Sequence, residues 1–202
     1  MLIQKLDEKH LGIVRAFSCV ETPEAVANLN SKQRRRVLLH SKEMDDFLHN
    51  EAMSEQEHGT NTTHLLIDNE AEKLVAYISL CADSIPLGVK EREEEMISYS
   101  NAPALKIARL AVASSYQKQG FCKKLLRFAL RTARNRVKRY CGIVFLTLDC
   151  YEHRVAFYEN LGFQRNQIQT SQREYDSPIS MRANINALAN RVFNSYKVTP
   201  SV

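Results

Sequence analysis

A glycine-containing loop stands directly before the most strongly amphipathic segment of the chain. The loop runs from Gln117 to Cys122 (QKQGFC), and apolar residues recur after it at helical spacing to about Tyr140. A helix N-terminus presents N–H groups without intrahelical partners and carries a partial positive charge. A glycine there lets the backbone approach an anion, so the segment predicts a phosphate site. The P-loop and dinucleotide-binding motifs are both absent, and one glycine alone is equally typical of a tight turn.

Positive charge is concentrated in the same part of the chain. The formal net charge of the 202 residues is +5, but no acidic residue lies between Met96 and Leu148. That segment holds 11 of the 28 basic residues, while the rest of the chain holds all 23 acidic ones. The asymmetry predicts a local anion site, with a solvated helix face as the simpler alternative. The basic residues are Lys106, Arg109, Lys118, Lys123, Lys124, Arg127, Arg131, Arg134, Arg136, Lys138 and Arg139.

Composition excludes several other classes of protein. With 44% hydrophobic and 25% charged residues, the chain is typical of a globular protein. The five cysteines form no Cys-x-x-Cys pair, and the odd count argues against a disulfide or zinc framework. No His-Glu-x-x-His motif, signal peptide or long apolar stretch is present. We therefore expect a cytoplasmic protein that has no metal site and does not enter a membrane.

The first 60 residues are predicted to be helical. Thr22 is a candidate N-cap with Pro23 at the first helical position, and a second helix is predicted from about Lys42 to Gln56. Two strand-like runs follow, Thr62–Ile67 and Leu74–Leu80, and they predict a hairpin. Residues 83–103 are predicted to form an excursion with a short helix near 88–97.

The remaining elements alternate along the chain. In order, they are a strand over Ala104–Ala113 with a β-bulge between Ile107 and Leu110, a helix from Gly120 to about Tyr140, a strand over Ile143–Leu148, a helix from Glu152 to Asn160, strands near Phe163 and over Ile179–Ala183, and a helix from Asn184 to Tyr196. The continuous apolar run of Ile143–Leu148 indicates a strand buried on both faces. This order predicts an α/β fold with a mixed sheet, in one domain over 1–202.

Three segments together resemble a known family. They are LAV at Leu110–Val112, QKQGFC at Gln117–Cys122 and FYENLGF at Phe157–Phe163. In this order and at this separation they resemble the GNAT superfamily of acyl-CoA-dependent N-acetyltransferases, over roughly residues 62–183. The resemblance implies a mixed, mostly antiparallel sheet with flanking helices. A helical N-terminal part over 1–60 and a C-terminal helix and tail over 184–202 would complete it.

Carried over by position, the resemblance implies a role for each segment. The backbone N–H groups of Gln119, Gly120, Cys122 and Lys123 would hold the pyrophosphate of acetyl-CoA, with Lys118, Phe121 and the side chain of Gln117 beside them. The edge of Leu110, Ala111 and Val112 would pair with the pantetheine arm, and an N–H there would polarise the thioester carbonyl. Tyr158 would protonate the departing CoA thiolate as general acid; the structural alternative is a core aromatic.

Two positions depart from the family pattern. Cys122 stands where the family has Gly or Ala, and Tyr151 stands where an Asn often begins the following helix. A small Cys is compatible with contacts made by backbone N–H groups. Replacement of the Asn removes an expected side-chain contact to the pantetheine arm.

The resemblance implies direct attack of a primary amine on the thioester, which requires the ammonium to lose its proton. Glu95, Asp149 and Glu152 are the candidate bases, each with a purely structural alternative. A covalent route through Cys122 or Cys150 is a further alternative, but no His/Asp constellation accompanies either thiol.

The acceptor stays open at this stage. A closer resemblance is to the GNAT branch that includes toxin-type enzymes acetylating aminoacyl-tRNA, and a basic helix face would suit either tRNA or the phosphates of CoA. A catalytically weak CoA-binding module is the third hypothesis. Residues 23–60, 83–103 and 164–178 are expected to select the acceptor. The oligomeric state is open between a monomer and a homodimer.

Overall fold

The computed structural model describes residues 1–169 and 177–194. In chain order the elements are β1 (Leu2–Lys5), a 3-10 turn (Glu8–His10), α1 (Leu11–Arg15), α2 (Ser31–Asp46), a π-helical turn (Phe47–Glu51), α3 (Ala52–Glu57), β2 (Thr62–Asp68), β3 (Lys73–Pro86), α4 (Val89–Glu95), β4 (Asn101–Val112), a 3-10 turn (Ser114–Tyr116), α5 (Phe121–Thr132), a π-helical turn (Ala133–Val137), α6 (Lys138–Tyr140), β5 (Phe145–Cys150), α7 (Glu152–Leu161), β6 (Gln164–Arg165), β7 (Ile179–Asn184) and α8 (Ile185–Asn194).

The strands form one mixed sheet, which confirms the predicted α/β class. The strand order is β1-β2-β3-β4-β5-β7-β6. β1 with β2, β2 with β3, β5 with β7 and β6 with β7 are antiparallel, whereas β4 and β5 are parallel. The parallel pairing runs from Ala104↔Phe145 to Ile107↔Leu148.

Two compact units divide the chain. The first comprises Met1–Cys81 and Ala108–Leu126, and the second comprises Ala82–Ile107 and Arg127–Val202. β3, β4 and α5 each contribute residues to both units. A single domain over 1–202 stays a prediction.

Tyr77 lies at the centre of the core of the first unit. Its ring is fully buried, 5.5 Å from the ring of Phe17 and 6.1 Å from that of Phe47. The hydroxyl donates a hydrogen bond of 2.8 Å to the carbonyl of Met44, which satisfies the polar end of the buried side chain. Burial raises the pKa of Tyr77 well above its ordinary value, so the phenol stays protonated.

In the second unit, β5 confirms the prediction of a strand buried on both faces. Phe145, Leu146, Thr147 and Leu148 are each at most 2% exposed. Phe145 packs in a cluster with Ile85, Leu87, Ala102 and Ala104.

The N-terminal region differs from the prediction in two places. Residues 1–60 are not all helical, because Leu2–Lys5 form β1, whose register runs from Leu2↔Ile67 to Lys5↔His64. Four residues are too few to show a strand period, and the strand is defined by its partner β2. The prediction of a helix that begins at Thr22 and Pro23 is also wrong.

Residues 23–29 form turns, and the helix begins later. Asn30 caps α2 by accepting from the N–H of Gln33 at 2.9 Å, and the Gln33 side chain accepts from the Asn30 N–H at 3.2 Å. This reciprocal capping box satisfies two N–H groups at the start of α2. Thr22 instead accepts the N–H of Ala25, in the first of a series of turns.

Most later elements confirm their predictions. The hairpin is β2 and β3, and the short helix near 88–97 is α4. The strand expected near Phe163 is β6, one residue later. Residues 195 and 196 of the predicted C-terminal helix lie outside the described residues, as does the tail that follows. The bulge in β4 stays a prediction.

Candidate active site

The loop before α5 lies in the first unit and bends through two residues with positive φ. Lys118 has φ of 60° and Gly120 has φ of 86°. A side chain at Gly120 would meet no other atom within 4 Å, so the conformation, and not crowding, favours glycine there. The helical hydrogen bonds begin with the N–H of Lys124, which donates to the Gly120 carbonyl at 3.1 Å. The backbone immediately before that bond therefore occupies the position where an anion binds at a helix N-terminus.

Gln117 holds this loop in place. Its Nε2 donates to the carbonyl of Cys19 at 3.1 Å and to the carbonyl of Val112 at 3.4 Å. The resemblance placed this side chain beside the pyrophosphate, and the structure shows it tying the loop to the end of β4 and to the N-terminal region. The side-chain amide of Gln117 therefore stabilises the conformation of the loop.

The other loop side chains divide between packing and solvent. Phe121 packs against Tyr116, with 6.0 Å between ring centroids in an edge-to-face arrangement. Gln119 donates from Nε2 to the Ser115 carbonyl at 3.2 Å. Cys122 is half-buried, while Lys118 and Lys123 are exposed. The two lysines add positive charge next to the helix start.

β4 leads into this loop through the predicted pantetheine strand. Ala111 is buried, and Leu110 and Val112 are half-buried. Ala113 donates its N–H to the Val75 carbonyl at 2.9 Å and is the residue after the end of β4. These contacts fix the direction in which the chain enters the loop.

Tyr158 lies in the second unit, on α7. Its half-buried ring makes edge contacts with Phe157 at 5.1 Å and with the buried Phe163 at 5.8 Å. α7 ends in a Schellman motif, in which Gly162 N–H donates to the Glu159 carbonyl at 2.9 Å and Phe163 N–H to the Tyr158 carbonyl at 3.0 Å. Gly162 has φ of 102°, as this motif requires. The LGF part of the sequence motif is thus the helix cap that orients Tyr158.

All three candidate bases have other partners. Glu95 accepts from Nδ2 of Asn184 at 2.7 Å. Asp149 forms an ion pair with Lys106 at 2.6 Å, and Glu152 forms one with Arg165 at 2.8 Å. The geometry therefore favours none of them as the general base.

The two candidate nucleophilic cysteines differ in burial, because Cys122 is only half-buried and Cys150 is not exposed. Cys150 is buried, and its Sγ lies 3.4 Å from Sδ of Met181. Burial, followed by the nearby charge of Asp149, raises the pKa of Cys150 to about 12. A thiol that stays protonated at neutral pH is a poor nucleophile, so a covalent route through Cys150 is disfavoured.

Tyr151, the departure at the start of α7, stacks its ring parallel to His153 at 6.3 Å and makes no side-chain capping bond to the helix. An Asn-type cap is therefore missing from this helix. The aromatic pair occupies the position instead.

Two charged pairs were not recognised in the sequence. Glu91 and Arg182 form a buried ion pair, although Glu91 belongs to an acidic run that resembles a solvated helix face. Lys106 and Asp149 pair across β4 and β5. The signal available in the sequence was one charged residue inside a strand in each pair, Arg182 in β7 and Lys106 in β4.

Neither a metal-binding cluster nor a membrane-spanning helix is found in the described part of the chain. In residues 1–169 and 177–194, no three His, Cys, Asp or Glu side chains are grouped so that they could hold a metal ion. None of the helices in those ranges has the length and hydrophobicity needed to cross a bilayer.

The sheet topology and the loop ahead of α5 define the class of the protein as an α/β protein with a candidate anion-binding turn at a helix start. The model of the acetyltransferase (GNAT) family matches residues 24–163. The chain therefore belongs to the GNAT family and is an N-acetyltransferase. The sequence matches no curated protein.

Solved structures with the same fold include toxin-type acetyltransferases. A tyrosine-to-phenylalanine variant of KacT has a TM-score of 0.72 and 18% identity, covering 94% of this chain and 98% of KacT. AtaT complexed with acetyl-methionyl-tRNAfMet has the same TM-score and identity, covering 95% and 98% of the two chains. A variant of AtaT bound to the C-terminus of the antitoxin AtaR and acetyl-CoA has a TM-score of 0.67 and 18% identity, covering 95% and 97%.

Proposed function

We propose that the protein transfers the acetyl group of acetyl-CoA to a primary amine by direct attack of the amine on the thioester. The observation that carries the proposal is the exposed loop before α5, with positive φ at Lys118 and Gly120. In the reaction the acceptor nitrogen loses a proton and forms a bond to the acetyl carbon. The carbon–sulfur bond breaks, and the thiolate of CoA takes up a proton.

In this proposal the loop holds the pyrophosphate of acetyl-CoA. The N–H groups of Gln119, Gly120, Cys122 and Lys123 donate to the phosphate oxygens at the positive end of the helix dipole. Gln117 keeps the loop in this shape through its two carbonyl partners. A loop that is already formed loses little conformational entropy when acetyl-CoA binds.

β4 supplies the next contact of the proposal. Its pairing with β5 covers Ala104–Ile107, and the strand continues to Val112. The pantetheine arm would add to the edge of Leu110, Ala111 and Val112 as a further strand. A backbone N–H there would stabilise the oxyanion that develops as the amine attacks the thioester.

Tyr158 is the proposed general acid that protonates the CoA thiolate. Its ring is held by Phe163 and by the capped end of α7, so the hydroxyl has a defined position. KacT and AtaT have both been solved as tyrosine-to-phenylalanine variants, which supports attention to a tyrosine in this fold.

Calorimetry with acetyl-CoA, followed by thiol release in the presence of amines, tests the proposal. We expect binding and acceptor-dependent release of CoA. Failure of acetyl-CoA to bind at high micromolar concentration would contradict it. Binding without thiol release over a broad acceptor panel would instead support a catalytically weak CoA-binding module.

A second candidate function is acetylation of aminoacyl-tRNA, and a cluster of exposed basic residues favours it. We call Arg134, Arg136, Lys138 and Arg139 the distal basic cluster. All four side chains are exposed, and Lys138 Nζ donates to Asn186 Oδ1 at 3.2 Å. Tyr140 is 83% exposed and its ring lies 5.8 Å from the Arg139 guanidinium. Clustered cations beside an exposed aromatic ring suit a phosphate backbone with accessible bases.

Binding of tRNA at several salt concentrations tests this second function. We expect replacement of the four cluster residues by Gln to reduce the salt slope of log K by about 3 to 4. The matched control replaces the exposed Lys5, Lys9, Lys73 and Lys90 by Gln, which changes the net charge equally. An equal loss in both variants would show a non-specific charge effect.

Growth arrest is a separate test of this second function. As a toxin, the protein would arrest growth when expressed, and Tyr158→Phe would relieve the arrest.

Compartment and oligomeric state complete the proposal. The five cysteines are all free, which suits the reducing cytoplasm proposed for the enzyme. A homodimer is the proposed assembly, and light scattering of the purified protein distinguishes it from a monomer.

A further inference from the structure

Lys106 and Asp149 form an ion pair that is open to solvent on one face of the second unit. Lys106 Nζ lies 2.6 Å from Asp149 Oδ2, and the two side chains are 30% and 37% exposed. Lys106 is the parallel partner of Thr147, and Asp149 follows two residues later. Because side chains alternate along a strand, all three project from the same face of the sheet.

Polar side chains next to this pair are buried and ordered. Thr147 is 1% exposed, and its Oγ1 donates to Asp83 Oδ2 at 2.6 Å. Arg182, the antiparallel partner of Thr147, is 3% exposed and binds Glu91. Lys106 and Asp149 are therefore the solvent-accessible end of a polar row whose inner members have partners inside the protein.

The position of the pair in the sheet is also distinctive. The described pairing of β4 with β5 ends at Ile107↔Leu148, so Lys106 precedes the last paired residue of β4 and Asp149 follows the last paired residue of β5. In α/β sheets, ligands bind beyond the carboxyl ends of parallel strands. A half-exposed ion pair contributes little to stability, so a ligand with complementary groups can replace it at small cost.

We propose that Lys106 and Asp149 bind the acetyl acceptor and select an α-amine that has a carbonyl group next to it. Asp149 accepts a hydrogen bond from the amino group, and Lys106 donates one to the neighbouring carbonyl or carboxylate oxygen. Peptide N-termini and aminoacyl esters have this arrangement, whereas a lysine ε-amine or a simple alkylamine lacks the oxygen. The inference rests on the proposed acetyl transfer and names the acceptor class for it.

Acetylation of a matched acceptor panel tests the inference. Alanyl-alanine amide and methionyl-tRNA supply α-amines, and N-acetyl-lysine amide supplies an ε-amine. We expect kcat/KM for the better α-amine to exceed that for the ε-amine by at least about tenfold, the effect of one lost charged hydrogen bond. We expect Asp149→Asn to raise KM for that α-amine about tenfold with little change in kcat.

A charge exchange separates recognition from structure. The double variant Lys106→Asp with Asp149→Lys restores an ion pair with reversed polarity. We expect thermal stability near that of the wild type and no recovery of KM, because the amino group then faces a cation. Recovery of KM in the exchanged variant would show that the pair is structural and would overturn the inference. If this variant does not fold, the KM of Asp149→Asn decides the question. A KM equal to that of the wild type would overturn the inference.

Further controls separate this inference from the proposed function. Glu70→Gln neutralises an exposed carboxylate in the turn between β2 and β3, outside the segments expected to select the acceptor, and should leave KM unchanged. Loss of acetyl-CoA binding by the wild type would contradict acetyl transfer itself. Acetyl-CoA binding without acetylation of either α-amine, or a preference for the ε-amine, would overturn only the acceptor inference.

Discussion

Arg182 Nη1 lies 2.5 Å from Oε1 of Glu91, and the two side chains are 4% and 0% exposed. Glu91 also accepts the N–H of Gly88 at 2.8 Å and the N–H of Gln167 at 3.2 Å. The pair therefore connects α4 and Gln167 to β7. A buried carboxylate with these three donors is well compensated, and removing one charge leaves the other without its partner.

We expect Glu91→Ala to destabilise the protein by about 3–5 kcal/mol, because Arg182 would remain buried and charged. Urea unfolding measures this change. Adding Glu91→Gln to Arg182→Met should recover part of the stability lost by Arg182→Met alone. Glu94→Gln, on the exposed side of the same helix, should cost only about 0.2–0.5 kcal/mol. Equal losses at positions 91 and 94 would contradict the buried-pair interpretation.

Tyr158→Phe removes the proposed acid and leaves the ring contacts with Phe157 and Phe163 in place. We expect kcat to fall by about 10²–10⁴-fold, the usual contribution of a general acid, with acetyl-CoA affinity unchanged. Thiol release measures kcat, and calorimetry measures affinity. Phe157→Leu alters a neighbouring ring without removing a hydroxyl and serves as the control. Wild-type kcat in Tyr158→Phe would exclude the acid role.

Gly120→Ala tests the loop conformation. A non-glycine residue in the left-handed region costs about 1–2 kcal/mol, so the loop should relax and the dissociation constant of acetyl-CoA should rise about tenfold. Gly142→Ala is the matched control, since a side chain there also meets no atom within 4 Å and no positive φ is required. If both variants bind acetyl-CoA like the wild type, the loop does not hold the pyrophosphate.

Alkylation at pH 8 tests the state of Cys150. With a pKa of about 12, the fraction of Cys150 present as thiolate at pH 8 is about 10⁻⁴, and it grows only as the pH rises toward 12. Iodoacetamide should therefore label the exposed Cys141 in the native protein and leave Cys150 unmodified. Peptide mass mapping reads the labels, and urea should make both thiols reactive. Labelling of native Cys150 at the rate of Cys141 would contradict its burial.

Local patterns predicted the elements around the loop well. The apolar period of α5 and the continuous apolar run of β5 each reflect burial that a single segment encodes. Of the six basic residues predicted to form the solvent-exposed face of this helix, Lys123, Lys124, Arg131, Arg134 and Lys138 are exposed and Arg127 is half-buried. The cap at Gly162 was part of a recognisable motif, although its role in orienting Tyr158 became visible only in the helix end.

Prediction failed where a distant partner decides the structure. β1 is a strand because β2 supplies its hydrogen bonds, and the start of α2 depends on the Asn30–Gln33 capping box. Thr22 and Pro23 satisfied the same local rule for a helix start but lacked the reciprocal partner. Glu91 lies in a run of acidic residues whose composition suggests solvent, and its burial depends on Arg182 about 90 residues away.

The sequence by itself determined the family, the α/β class and the loop residues, because glycine placement, helix period and short motifs are local properties. The tertiary structure alone decided that Gln117 braces the loop and that Lys106 and Asp149 form a pair. It also decided that Cys150 is buried, which raises the pKa of its thiol. These properties depend on which atoms lie within hydrogen-bonding distance and how much water they exclude, and chain folding brings those atoms together across up to 98 positions of sequence.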